Sequence, residues 1–240
     1  MKRTEIRAGE VSSAPFYEPW LPTGPGVRWH VMGESHYITQ DDPGSYENSP
    51  ALTKQVVKEW ALGEGGSPFF TRVASVISGK APGAFDRAEE WQRFAFSNFV
   101  QQPLDGPRMA PSRAQFADAR ERFFAQLAMT QPEVLVVLGS RAWNELPCDV
   151  GAKVPPFQFL LMPDWPAIED AWLYPYWVGD DLICTLAVKI VHPSAGFGRW
   201  NLAKETAWVQ TAASCHSNVL EYFYDTHIGM GDRPFWGERS

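Results

Sequence analysis

Val134-Leu135-Val136-Val137-Leu138, closed by Gly139, is an unbroken aliphatic run. A short continuous run of branched apolar residues reads as a strand covered on both faces, the habit of parallel sheets. Outward from it the chain alternates strands with helices. Arg28 to Met32, between Gly26 and Gly33, reads as the first strand, Arg93 to Val100 as the second and Leu182 to Val191 as the last. Helical spacing places apolar residues at 52, 56, 57 and 60, and again at 69, 70, 73, 74, 76 and 77. Pro111-Ser112 opens a helix running to about Met129, with Phe116, Phe123, Phe124 and Leu127 on one face. Trp200 to Ala213 is the last long helix, and Ser140 stands where a short helix after Gly139 would be capped. The expectation is α/β: a three-layer α/β/α sandwich around a central, mostly parallel four-stranded sheet.

The first 27 residues hold Pro15, Pro19, Pro22 and Pro25 among Phe16, Tyr17 and Trp20. Prolines forbid helix and aromatics need burial, so residues 1–27 read as an extended arm on a single domain, residues 28–240. Pro147 to Gly179 reads as a Pro- and Trp-rich insertion, and no internal repeat or low-complexity tract is present.

With 240 residues, 45% hydrophobic and 20% charged, the chain can bury one sizeable core. No stretch approaches the roughly 18 apolar residues of a membrane span. The basic residues of Met1-Lys2-Arg3-Thr4-Glu5 precede no apolar run, so no secretory signal is expected. The cysteines, Cys148, Cys184 and Cys215, are widely spaced and fit core packing in a reducing compartment, the cytoplasm. No metal-ligand spacing and no cofactor motif is present. A net charge of −7 with scattered cations argues against a long DNA footprint, because phosphate neutralisation supplies most non-specific affinity. A small basic mouth around one nucleotide remains compatible with it.

Chemistry-bearing residues gather where strands end, the edge at which α/β folds assemble ligand sites. Gly33-Glu34-Ser35-His36-Tyr37 puts a carboxylate, a hydroxyl and an imidazole beyond a glycine that permits a sharp turn or a close approach. Asn98 follows Phe96 and Ser97 and precedes Phe99, and its paired donor and acceptor match a nucleobase edge. His192-Pro193-Ser194 ends the last strand, ahead of Gly196, Gly198 and Arg199. A histidine there can donate to a developing anion. Each segment also has a plainer reading: loop groups satisfying backbone, a core Asn bonded to main chain, a histidine capping the sheet. His30 lies inside a strand, and His216 and His227 fall in a tail with no partner spacing.

The order of these junctions resembles the uracil-DNA glycosylase superfamily over about residues 28 to 212. Gly33-Glu34 looks like the Gly-Glu start of the thermophile-type branch, and Asn98, Pro103 and Arg108 fall where that branch has Asn, Pro and Arg. Pro132 through Gly139, followed by Ala142, resembles its Pro-x-Val-aliphatic-Gly-x-x-Ala segment, and His192-Pro193-Ser194 matches its third motif. Ser35-His36-Tyr37 stands where efficient uracil excisers carry Asp-Pro-Tyr, and Ser35 cannot act as a carboxylate base. Tyr37 keeps the position that guards against a 5-methyl group. The branch's four iron–sulfur cysteines are missing.

The resemblance implies a cofactor-free, monomeric N-glycosylase acting on a damaged or modified base in DNA, either single-stranded or flipped from a duplex. Glu34 would activate water with His36 assisting or replacing it, and His192 would stabilise the departing base. Asn98 would hold the base edge within a pocket of Gly33, Ser35, Tyr37, Phe96 and Phe99. Ser194, Arg199, Lys204 and Arg108 would meet the DNA backbone. Two rivals stay open. One is a catalytically silent nucleobase- or nucleic-acid-binding module, which Ser35 favours. The other is a hydrolase of free nucleosides or nucleotides, which the acidic charge suits.

Overall fold

The computed structural model describes residues 8–11, 13–23, 29–38, 47–63, 67–106, 109–154, 171–195 and 200–225. In chain order the strands are β1 (Trp29–Gly33), β2 (Ala95–Asn98), β3 (Val134–Leu138), β4 (Ala152–Lys153), β5 (Ala171–Val178) and β6 (Asp181–Ile190). The helices are α1 (Leu52–Val57), which runs into a π-helical turn (Lys58–Leu62), then α2 (Pro68–Ser78), α3 (Arg87–Trp91), α4 (Arg113–Thr130), α5 (Ser140–Asn144) and α6 (Leu202–Phe223).

The strands form one six-stranded sheet in the order β2-β1-β3-β6-β5-β4. β2, β1, β3 and β6 run parallel, while β5 and β4 are antiparallel additions. The expected four-stranded, mostly parallel sheet is therefore corrected to a six-stranded mixed one. The reason lies in the supposed insertion, where Ala171 to Val178 is a full strand despite Pro175. β4 pairs only with Leu173 and Trp172, so β5 has an open edge beyond them. Pro175 faces that edge, and its carbonyl accepts the Gly9 N–H at 2.8 Å. An edge position tolerates the missing proline N–H.

Alternate residues of β3 enter two cores. Val134, Val136 and Leu138 pack with Val73 and Val76 of α2 and with Trp208 and Val209 of α6. Leu135 and Val137 pack with Phe123 and Leu127 of α4 and with Trp143 of α5. Helices thus cover both faces of the sheet, which explains the continuous aliphatic run. Burying each such side chain contributes about 1.5–3 kcal/mol.

Ser112 caps α4 in a reciprocal capping box with Gln115. Ser140, expected as a cap, is instead the first residue of α5, and Gly139 precedes it at φ 94°. α6 runs on to Phe223, well past Ala213, because Cys215, Val219 and Phe223 continue its buried stripe. His216 lies buried in that helix rather than in a tail, while His227 lies outside the described residues. Cys184 and Cys215 are buried free thiols, as core packing requires, whereas Cys148 is exposed.

The described part of the arm contains no helix and closes two sheet edges. Trp20 exchanges two backbone hydrogen bonds with Phe96 of β2, at 2.8 and 3.0 Å, and Gly9 bridges to Tyr176 of β5. Covering edges in this way removes sites for unwanted strand pairing. Among the described residues no helix is long and apolar enough to cross a membrane.

Candidate active site

Parallel pairing brings four strand ends to one edge of the sheet. Gly33 is in register with Asn98, and Leu138 with Ile190. Glu34 follows β1, Arg141 stands in the first turn after β3, and His192 follows β6. The β1–β2 pairing continues beyond the strands, because Phe99 donates to the Gly33 carbonyl and Val100 to that of Glu34.

Gly33 is needed for closeness rather than for a left-handed backbone. A Cβ on it would lie 2.2 Å from Asn98 Oδ1 and 3.5 Å from the Phe96 ring. The Asn98 carboxamide therefore lies across Gly33. Asn98 is only 5% exposed, and among the described residues its carboxamide has no hydrogen-bond partner, while its main-chain carbonyl accepts from Gln101 Nε2 at 2.7 Å. The amide is not among the fully enclosed polar atoms that lack a partner, so its donor and acceptor stay within reach of a small molecule entering this edge.

Gly139 is a second close approach, since a Cβ there would meet His192 Cβ at 3.2 Å. The Ser194 N–H donates to His192 Nδ1 at 3.1 Å, so in the neutral ring the proton sits on Nε2. Burial pushes the imidazole below the usual histidine pKa; the Glu34 carboxylate pulls it back up and the Arg141 guanidinium pushes it down. His192 is thus a neutral Nε2–H donor within electrostatic reach of both. Arg72 donates to the Pro193 carbonyl, Val191 N–H donates to Glu205 at 3.1 Å, and Trp208 Nε1 donates to the Lys189 carbonyl. These bonds fix the loop from α2 and α6.

Glu34 meets Arg141 in a fork-to-fork ion pair, Nε to Oε2 and Nη2 to Oε1, both 2.5 Å. The hydrogen bonds to this carboxylate raise the guanidinium's already high pKa. Phe69, half-buried near the start of α2, lies 5.5 Å from the His192 ring at an interplanar angle of 33°. It also meets Phe96 edge-on at 6.5 Å.

The predicted residues divide. Gly33, Glu34, Phe96, Asn98 and His192 share this edge, with half-buried Ser35 beside them and exposed Ser194 in the His192 loop. His36 does not join them. Its Nε2 pairs with Thr53 Oγ1 at 2.9 Å and its ring meets Tyr17 edge-on, and burial lowers its pKa to about 4. Phe99 is wholly buried on the α4 face, 6.3 Å from Phe116 and 6.1 Å from Phe123. Tyr37 is 56% exposed, bridged to Leu104. Lys204 lies in the first turn of α6, its N–H capped by Asn201. Arg108 and Arg199 lie outside the described residues.

Sequence reasoning missed Phe69, Arg72 and Arg141. Pro68 at the start of α2 was the available signal for Phe69, because it fixes which residues open that helix. Nothing local marked Arg141 as the partner of a residue 107 positions away. A groove of about 680 Å³ lined by Glu10, Arg120, Phe124 and Asp149 shares no residue with the strand-end cluster. Among the described residues no group of three His, Cys, Asp or Glu is placed to hold a metal. No protein-family model matches the chain, and no curated protein matches it.

Proposed function

We propose that the chain is a divergent member of the uracil-DNA glycosylase superfamily, a cytoplasmic monomer that hydrolyses the N-glycosidic bond of a damaged or modified pyrimidine in DNA. The observation carrying this reading is Asn98: a nearly buried carboxamide, unpartnered among the described residues, laid over Gly33 beside Glu34 and His192. An amide offers a donor and an acceptor together, which is what a pyrimidine edge asks of its reader. The target nucleotide would leave the base stack, costing a few kcal/mol and favouring weakly paired bases.

The aromatic support comes from Phe69 and Phe96 rather than Phe99. His192 Nε2–H donates to the oxygen on which charge gathers as the base departs, a preorganised interaction with a neutral donor. Glu34 orients the attacking water toward C1′. His36, tied to Thr53, holds the loop and takes no chemical part. The parallel half of the sheet, β2-β1-β3-β6 with its helices, is the part that corresponds to the superfamily's sandwich.

A second reading has its own observation. Arg141 engages both oxygens of Glu34, and a carboxylate so engaged is a poor base, which favours a module that binds a nucleobase without cleaving. Mass spectrometry of bases released from varied duplex, single-stranded and free substrates separates the readings. Release that Asn98→Ala and His192→Ala abolish supports the enzyme. Binding without release supports the silent module, and neither binding nor release overturns both.

A further inference from the structure

Resting on that reading, the ion pair at the strand ends raises a conflict: the proposed chemistry needs Glu34, and Arg141 holds it. The two partners are unequally placed. The Arg141 side chain is 49% exposed, and that of Glu34 only 14%. The guanidinium is thus the outer member, reachable from solvent, and its one further contact among the described residues is a long one, 3.4 Å to the Met109 carbonyl. Nη1 takes no partner there. Because the guanidinium side of the pair is open to solvent, an incoming anion can reach it and exchange for the carboxylate. A guanidinium fork fits carboxylate and phosphate alike, and its charge is permanent. In a chain of net charge −7, a cation beside Asn98 and His192 is an uncommon resource for holding a nucleotide's phosphate.

We propose that Arg141 is a phosphate-binding residue whose resting occupant is Glu34, so that docking of a nucleotide phosphate frees the carboxylate for water. The inner carboxylate stands in for the ligand's oxyanion until the ligand arrives. Glu34 is then released only where a phosphate accompanies the base, which selects nucleotides over free nucleosides. The phosphate has two sources, a phosphodiester beside a flipped residue or the 5′-phosphate of a free nucleotide.

The test uses the full chain, with Glu34→Gln, Arg141→Met and Arg141→Lys variants checked for folding by thermal unfolding. Binding of deoxyuridine, deoxyuridine 5′-monophosphate and a short deoxyuridine-containing single strand is measured for each. Inorganic phosphate is titrated against the Arg141 Nε–H NMR signal. The monophosphate or the strand is expected to bind the unmodified protein more tightly than the nucleoside. That preference should be lost in Arg141→Met, partly kept in Arg141→Lys, and enlarged about threefold or more in Glu34→Gln, where the competing carboxylate charge is gone. Preference for the strand alone assigns the site to a phosphodiester, and preference for both admits the free nucleotide. If phosphate moves the Arg141 signal in Glu34→Gln but no nucleobase binds, the anion site stands and the nucleobase reading falls. Equal binding of nucleoside and phosphorylated ligands, or a preference that survives Arg141→Met, overturns the proposal.

Discussion

Gly33→Ala isolates the relation on which the site depends. An added Cβ would stand 2.2 Å from Asn98 Oδ1, more than about 1 Å inside the ~3.5 Å at which such atoms attract. Gly33 is not among the left-handed glycines, so alanine meets no backbone strain, and it should gain about 0.4–1 kcal/mol through the unfolded chain. Against that gain, the Asn98 side chain must leave its rotamer, at about 0.5–1.5 kcal/mol. The two terms nearly cancel. Stability should change by less than about 1 kcal/mol, no more than about 2–4 °C in Tm for a chain of this size.

Recognition has no such compensation. A displaced amide loses a bidentate contact of about 1–3 kcal/mol, or roughly 5- to 150-fold in affinity. The assay pairs thermal unfolding with fluorescence anisotropy on a deoxyuridine-containing strand, in a cycle with Asn98→Ala. Because Gly33 acts through Asn98, Gly33→Ala should weaken binding in the unmodified background and add nothing in the Asn98→Ala background. Binding unchanged by Gly33→Ala, or equal losses in both backgrounds, refutes the reasoning.

Acid should weaken the fold through its buried histidines. Burial lowers His30 to about 3 and His36 to about 4, so between the unfolded value near 6.5 and those values the unfolded chain binds protons that the folded chain refuses. Stability present above about pH 6.5 is lost as pH falls through that window, by up to about 1.4 kcal/mol per pH unit for each histidine. Urea unfolding of His36→Gln should give a pH slope about one proton shallower, and an unchanged slope would assign the acid sensitivity to other groups. Phe69→Leu should weaken strand binding by about 1–3 kcal/mol, the worth of one base stack, and leave Tm nearly unchanged. Phe99→Leu should lower Tm and spare binding; the reverse pattern would return Phe99 to the site.

Legibility followed locality. Val134 to Leu138 declared a strand buried on both faces, and the period of Phe116, Phe123 and Leu127 declared α4. Gly33, Asn98 and His192 could be placed together because parallel strands in one sheet share a carboxyl edge, whatever separates them in sequence. β5 was hidden because Pro175 and four bulky aromatics imitate an irregular loop, and only the register with β6 and the Gly9 contact make a proline acceptable there. His36 and Phe99 misled for a related reason. Adjacent residues leaving a strand point to opposite sides, so a five-residue motif cannot deliver every side chain to one pocket. His36 turned toward Thr53 and Tyr17, and Phe99 toward α4.

The same economy holds the loops that carry the candidate site. His192 extends from β6, whose ten residues are held by β3 on one side and β5 on the other. Beyond the strand, Gly139 N–H donates to the Ile190 carbonyl, Glu205 receives Val191 N–H, and Arg72 reaches Pro193. Asn98 is secured from the arm, because Gln101 receives the Tyr17 N–H at 2.8 Å and donates to the Asn98 carbonyl. His36 belongs to the same support: its ring meets Tyr17, and its carbonyl accepts the Leu104 N–H. Each main chain is thus bonded from a neighbouring element, while no described residue pairs with the Asn98 amide or the His192 Nε2–H. Polar side chains whose backbones are held by neighbouring elements, and not by one another, are preorganised for whatever they meet. Glu34 departs from that pattern. Its carboxylate, and not merely its backbone, is occupied by Arg141, so under the proposed phosphate exchange this is the contact that must open.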